Sequence, residues 1–131
     1  MIVDTSAVVA ILQGEADSEA LSSAILADQE PKMSAATVVE LYAVADVRGA
    51  PAEARRVDTL LKQLRIRIVA FDEAQATIAR EAYRDFGRGS GHAAKLNLGD
   101  TFSYALAAQS GEPLLYVGND FGQTDLRSAL T

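Results

Sequence analysis

The chain alternates short unbroken apolar runs with longer stretches in which apolar residues return every three or four positions. Met1-Ile2-Val3 predicts a brief buried strand that stops at Asp4, with a helix starting at Thr5 or Ser6 and running through Ala7 to Leu12. Asp17 or Ser18 is placed to cap a second helix, whose Ala20, Leu21, Ala24 and Ile25 share one face. Pro31 ends that segment, and Lys32-Met33-Ser34 predicts a second strand. Helical spacing returns from Ser34 to Asp46, with Val38, Leu41, Tyr42 and Ala45 on one side and Gly49 as its close. Pro51 stands where a helix tolerates a missing N–H, and Val57, Leu60, Leu61 and Leu64 follow at i, i+3, i+4 and i+7.

The second half repeats the alternation. Ile66 to Phe71 predicts a third strand. Asp72 and Gln75 have capping-box spacing before a helix with Ile78, Ala79, Ala82, Tyr83 and Phe86 on its face, and Gly87 stops it. Residues 87–99 contain four glycines and predict a surface loop. Asp100 then opens a helix bearing Phe102, Ala105, Leu106 and Gln109, which Gly111 ends; Leu114 to Val117 predicts a buried strand, and Gly118-Asn119-Asp120 turns out of it. Short apolar strands alternating with helices predict an α/β sandwich with a mainly parallel central sheet of four to five short strands, covered by helices on both faces. With no repeat or linker, residues 1–131 are expected to form one domain.

Composition narrows the chemistry by exclusion. The chain has no Cys, so disulfides, thiolate zinc sites and cysteine nucleophiles are out, and one histidine, His92, excludes His-rich metal sites. No apolar run approaches the ~20 residues of a membrane span, and no signal peptide precedes Asp4, so a cytoplasmic protein without membrane association is expected. The net charge of −6 is unevenly spread: residues 1–31 hold six acids and no Lys or Arg, whereas residues 48–95 hold ten bases against six acids. That basic middle reads either as solvated Arg-rich helix faces or as a surface that meets phosphates.

Four carboxylates stand out: Asp4 and Asp120 just past apolar strands, Asp100 after a glycine at a helix start, and Glu40 beside a core-facing stripe. Gathered together, they would repel one another unless a cation sat among them, and oxygen donors without His or Cys suit Mg²⁺ or Mn²⁺. Each also has a plainer reading. Asp4 and Asp100 are natural helix N-caps, Thr37-Val38-Val39-Glu40 has capping-box spacing, and Asp120 suits a tight turn. Thr5, Ser6 and Asn97 serve equally as caps or as hydrogen-bond partners of carboxylates or a metal-bound water. Asp125 reads as a cap or turn residue near the last segment, with membership of the acidic pocket as the alternative. A Ser6 nucleophile is disfavoured, because the lone histidine lies in a loop without an orienting pattern. A receiver-like phosphotransfer domain is disfavoured too, since an Asp-x-Asp pattern would need an acid where Ser6 stands. A non-enzymatic binding module would survive amide replacement of the four acids.

Four blocks, taken in order, resemble a PIN domain, and more narrowly the VapC toxins of type II toxin–antitoxin modules. They are Met1-Ile2-Val3-Asp4-Thr5-Ser6-Ala7, Met33 to Leu41, Leu96-Asn97-Leu98-Gly99-Asp100 to Ala105, and Leu114 to Phe121 with its Gly-Asn-Asp-Phe. The resemblance implies a PIN-like α/β/α sandwich and a Mg²⁺-dependent endoribonuclease, with Mn²⁺ as a substitute. Asp4, Glu40, Asp100 and Asp120 would be its acidic cluster, Asp4 and Asp100 the most direct ligands, with one metal or two. It also implies a homodimer and a VapB-type antitoxin whose C-terminal tail blocks the site, with further assembly around it. RNA hydrolysis by a metal-activated water would then draw on Arg88, His92 and Lys95 as phosphate contacts. A PIN nuclease acting in RNA maturation, or on other nucleic acid, outside a toxin module, uses the same pocket and is the alternative.

Overall fold

A computed structural model of the chain describes residues 1–47 and 51–130. Its centre is a four-stranded, all-parallel sheet in the order β3-β2-β1-β4, made of β1 (Ile2–Val3), β2 (Lys32–Ser34), β3 (Arg67–Val69) and β4 (Leu114–Leu115). Each crossover carries two helices: α1 (Thr5–Leu12) and α2 (Ser18–Ala27), then α3 (Ala35–Val47) and α4 (Pro51–Gln63), then α5 (Glu73–Phe86) and α6 (Leu98–Ser110). The expected α/β sandwich is therefore present, with every strand parallel.

Alternation along strands only two or three residues long divides the core. Val3 and Leu115 face a cluster with Ala7, Val8, Leu21, Ile25, Leu41 and Val57, which belongs to the α1–α4 side. Their neighbours Ile2 and Leu114 face the other way, into Ala82, Leu96, Tyr104, Leu106 and Phe121 on the α5–α6 side. This period-2 switch is what makes the sheet a middle layer. At the strand starts, the Met1 ammonium pairs with Asp28 and Glu112 at 3.0 and 3.1 Å, and Lys32 pairs with Glu112 at 2.8 Å. Past the last helix, the C-terminal segment lies on β4: Leu114 N–H donates to the Arg127 carbonyl and Ala129 N–H to the Leu114 carbonyl, each at 2.9 Å.

Several boundaries differ from the sequence expectations. β3 is shorter than Ile66–Phe71 and sits at the sheet edge, where Ile68 is 43% exposed; an apolar run alone does not distinguish an edge from a centre. β4 likewise stops at Leu115 rather than Val117. Asp17 stands at the α2 N-cap without a side-chain cap bond. Asp72 does cap α5, accepting from Gln75 N–H at 2.8 Å, but the Gln75 side chain completes no box and donates instead to the Ala70 carbonyl and Gln109. Tyr83, expected on the core face of α5, is 38% exposed. The Gly49 close of α3 lies outside the described residues.

The largest revision concerns α6. It begins at Leu98, not Asp100, so the loop before it is shorter than 87–99 and already buries Ala94 and Leu96. α6 is also buried on more than the predicted stripe: Thr101, Ser103, Tyr104, Ala105, Leu106 and Ala107 are all inside, while Gln109 is exposed. The helix packs against α5, α3 and the sheet together, and such surroundings override a one-sided pattern. Among the described residues, no helix is long and apolar enough to cross a membrane.

Candidate active site

Strand order reverses where β4 is placed on the far side of β1 from β2, and the crevice outside parallel strand ends at such a reversal collects ligands. Asp4 stands there, at the end of the central strand. Its extended backbone (φ −87°, ψ 159°) makes it the N-cap of α1, so the plain reading holds. Its carboxylate does more than a cap requires. Oδ2 accepts from Ser6 N–H at 3.0 Å and Ser6 Oγ at 2.7 Å, and Oδ1 accepts from Ser103 Oγ at 2.5 Å. Only 3% of Asp4 is exposed. Ser6 Oγ in turn accepts from Val117 N–H at 3.0 Å, tying the end of β4 to the same carboxylate. Thr37 Oγ1 lies 3.2 Å from Ser103 Oγ, and because the Ser103 proton is committed to Asp4, Thr37 is the donor.

Glu40 enters from α3. Because that helix starts at Ala35, with Ser34 Oγ accepting from Ala36 N–H, Thr37 is inside the helix and the Thr37–Glu40 capping box does not form. Glu40 Oε1 instead accepts from Thr5 Oγ1 at 2.8 Å. Burial pushes its carboxyl above the ordinary range, the Thr5 hydroxyl pulls it back, and the Asp4 charge adds to the rise.

Asp100 enters from the first turn of α6, at N3 rather than at the cap. Asn97 is the cap: its side chain accepts from Asp100 N–H at 2.8 Å, while Asp100 Oδ2 accepts from Asn97 N–H at 2.9 Å. Burial lifts the Asp100 carboxyl to about 6, the Asn97 N–H opposes this, and the charges of Asp4, Glu40 and Asp120 raise it further. One carboxyl thus feels the other three, from elements as distant as β1, α3 and the turn after β4. Asp120 is exposed, just before a 3₁₀ turn (Phe121–Gln123), and makes no side-chain cap bond there.

Two residues of this site were missed from the sequence. A Cβ placed on Gly99 would land inside the Glu40 carboxylate, so glycine lets the α6 N-terminus come this close without displacing that side chain. Ser103 is the buried donor to Asp4. The signals available were the glycine preceding Asp100 and the i, i+3 spacing of Asp100 and Ser103, which puts both on one helix face. Asp125 lies elsewhere, accepting from Tyr104 Oη at 2.7 Å. Arg88, His92 and Lys95 lie together in the loop before α6, around a depression of about 390 Å³.

Among the described residues, no three acidic or histidine side chains form a ready-made coordination shell. The donor chemistry nonetheless fits a hard cation: every candidate ligand is a carboxylate oxygen, and two of the carboxyls are pushed up by burial and by their neighbours' charge. Mg²⁺ uses one or two protein carboxylates and keeps several waters, so a closed cage is not needed.

The PIN domain family matches residues 1–126. Ribonuclease VapC42 of Mycobacterium tuberculosis is 53% identical over 131 residues, covering 100% of both chains. Two solved structures share the fold at 17% identity. VapC20 of M. tuberculosis, described as a sarcin–ricin-loop-cleaving toxin, has a TM-score of 0.71 and covers 95% of each chain. A toxin–antitoxin complex from Klebsiella pneumoniae has a TM-score of 0.69, covering 92% of this chain and 88% of that one. On a family match spanning nearly the whole chain and an end-to-end match to a VapC ribonuclease, the chain belongs to the PIN-domain family and, within it, to the VapC ribonucleases.

Proposed function

We propose that this protein is the endoribonuclease toxin of a VapBC-type toxin–antitoxin pair, hydrolysing RNA phosphodiester bonds at Asp4, Glu40, Asp100 and Asp120 with Mg²⁺. The observation that supports this site is the convergence of β1, α3 and α6: Ser103 donates to Asp4, Thr5 donates to Glu40, and Gly99 beside Asp100 abuts the Glu40 carboxylate. Asp4 and Asp100 would hold the ion most directly, with Glu40 and Asp120 completing the charge; Mn²⁺ suits the same donors. When bound, the ion supplies a polarised phosphate oxygen and an acidified water.

The protein's own residues set the stage for that chemistry. Ser6 and Ser103 hold Asp4 in one orientation from both of its oxygens. Thr5 holds Glu40. The Asn97 cap fixes the first turn of α6, and Gly99 lets it approach Glu40. In the reaction, water oxygen bonds to phosphorus as the bond to the departing ribose oxygen breaks, and that oxygen leaves with a proton. The site works in the cytoplasm, the chain forms a homodimer, and a VapB-type antitoxin covers the acidic cluster.

The test is cleavage of labelled RNA with Mg²⁺ or with chelator, comparing the parent with Asp4→Asn and Asp100→Asn. Cleavage by the parent alone, and only with metal, is expected. Equal activity in the variants, or full activity in chelator, removes this mechanism. Co-expression with a small DNA-binding protein encoded beside the gene should abolish cleavage, and a chain with no such neighbour would not be a module toxin.

A further inference from the structure

The loop joining α5 to α6 is a pinned ring. Arg88 N–H donates to the Leu96 carbonyl and Leu96 N–H to the Phe86 carbonyl, both at 2.9 Å, closing its base. Inside, Ser90 Oγ donates to the Gly87 carbonyl at 2.6 Å and accepts from His92 N–H at 3.1 Å. His92 Nδ1 accepts from Ala94 N–H at 3.0 Å, so the neutral ring carries its proton on Nε2 and keeps a donor for a ligand. The ring meets Phe86 edge-on at 4.9 Å, and Phe86 packs against Tyr104 of α6 at 5.7 Å. The loop is thereby fastened to the helix that carries Asp100.

Its outer surface carries two cations and no acid. Arg88, Gly89, Gly91, His92 and Lys95 line the depression of about 390 Å³, with no acid among them. Arg56, Arg67 and Arg84 are paired with Glu53, Glu30 and Asp85; among the described residues Arg88 and Lys95, like Arg55, Lys62, Arg65, Arg80 and Arg127, have no ion-pair partner, so their charge is open to a ligand. The backbone also bears a cost for its lysine. Gly89 and Gly91 take the left-handed region freely (φ 85° and 86°), but Lys95 holds φ 49° with a full side chain.

We infer that this ring is a phosphate-binding subsite that grips the RNA backbone away from the bond being cut; the inference rests on the ribonuclease reading above. Lys95 and Asp100 are five positions apart, a span of at most about 18 Å, so the subsite lies within a few nucleotides of the acidic cluster. Two exposed cations and an imidazole donor, reached by water, contribute to holding the substrate rather than to the charge developing at the reacting phosphorus. The subsite sets affinity.

The test measures binding of a short labelled single-stranded RNA in chelator across a salt series, and steady-state cleavage with Mg²⁺. Arg88→Gln with Lys95→Gln should weaken binding about tenfold and flatten the slope of log K against log salt by about 1.4, at ~0.7 per lost phosphate contact. In cleavage, the loss should fall in KM rather than kcat. Lys95→Gly removes the cation while relieving the backbone, so its Tm should hold as RNA affinity falls; this separates lost contact from lost fold. Unchanged affinity and slope overturn the proposal, as does a kcat loss at unchanged affinity. Weakened binding to poly-glutamate with intact RNA binding would assign the ring to an acidic peptide and also overturn it. A parent that binds RNA through this ring but never cleaves would refute the nuclease reading while leaving the subsite standing.

Discussion

Replacing Asp100 with asparagine should abolish cleavage and, without metal, make the protein more stable at neutral pH. Burial first, then the charges of Asp4, Glu40 and Asp120, lift this carboxyl from 3.8 to about 6. Below pH 3.8 it is protonated in both folded and unfolded chains and costs nothing. Between 3.8 and about 6 the unfolded chain gives up its proton while the folded one keeps it, so stability falls as pH rises. Above about 6 both forms are ionised and the whole penalty stands. At about 1.4 kcal/mol per tenfold change in proton affinity, the rise corresponds to about 3 kcal/mol. Solvent on the open side of the carboxyl reduces this to roughly half. Asparagine still offers an oxygen to the Asn97 N–H, but α6 loses a favourable negative charge in its first turn, about 0.5 kcal/mol. The remaining gain of about 1 kcal/mol corresponds to a Tm increase of about 4 °C for a chain of this length. Paired thermal melts of variant and parent in chelator read the difference directly. It should be largest at pH 7.5 and shrink toward zero near pH 4. A variant less stable than the parent at pH 7.5, or a difference that does not change with pH, would show that the carboxylates are not crowded.

Three further outcomes follow from the same geometry. Mg²⁺ at a hundredfold excess over its Kd should stabilise the parent by about 2.7 kcal/mol, about 10 °C in Tm, and Asp4→Asn or Asp100→Asn should lose most of that shift; a parent blind to Mg²⁺ in thermal melts would count against the metal site. Gly99→Ala drives a methyl into the Glu40 carboxylate and should cut cleavage at least about tenfold at saturating RNA, since a misplaced catalytic group carries a large kinetic penalty; parental rates would mean that Glu40 has room to move. Ser103→Ala removes a donor from a buried carboxylate and leaves the Thr37 hydroxyl without its acceptor, for a loss of about 2 kcal/mol measurable by urea unfolding. A loss below about 0.5 kcal/mol would place Asp4 in a wetter setting than the structure shows.

The positions of the acids were legible, but their company was not. Asp4 announced itself because an apolar run and a helix start bracket it within a few residues. The plainer reading of Asp100 as a cap rests on Gly-Asp-Thr before an apolar helix, a sound local signal, but the actual cap, Asn97, pairs with an Asp at N3 where the familiar box has Glu or Gln. Thr37 and Glu40 show the converse, a box in spacing alone, cancelled because β2 hands over to α3 two residues before Thr37. Ser103 left only its i, i+3 spacing from Asp100 in the pattern. Its importance comes from a partner 99 positions away and from packing that buries α6 beyond its apolar stripe, and neither is a property of the segment itself. Strand order was likewise invisible: Ile66 to Phe71 and Met1 to Val3 look alike as runs, although one borders the sheet and the other is its axis.

That axis has a consequence for how the molecule opens. The Ile2 and Asp4 amides donate to the Pro113 and Leu115 carbonyls at 2.9 Å, and Lys32 N–H donates to the Met1 carbonyl at 3.0 Å, so β1 is laced to a neighbour on each side. Amides in such a strand are released only when the whole domain unfolds, whereas exposed turns of the surface open at lower free energy. In hydrogen exchange, Ile2 and Asp4 should be among the last amides to take up deuterium, and those of Gly89 and Ala93, exposed on the outer side of the loop, among the first. Exposed turns can then open and close many times while the carboxylate at the end of β1 keeps its place, so that each reclosing finds the same fixed charge.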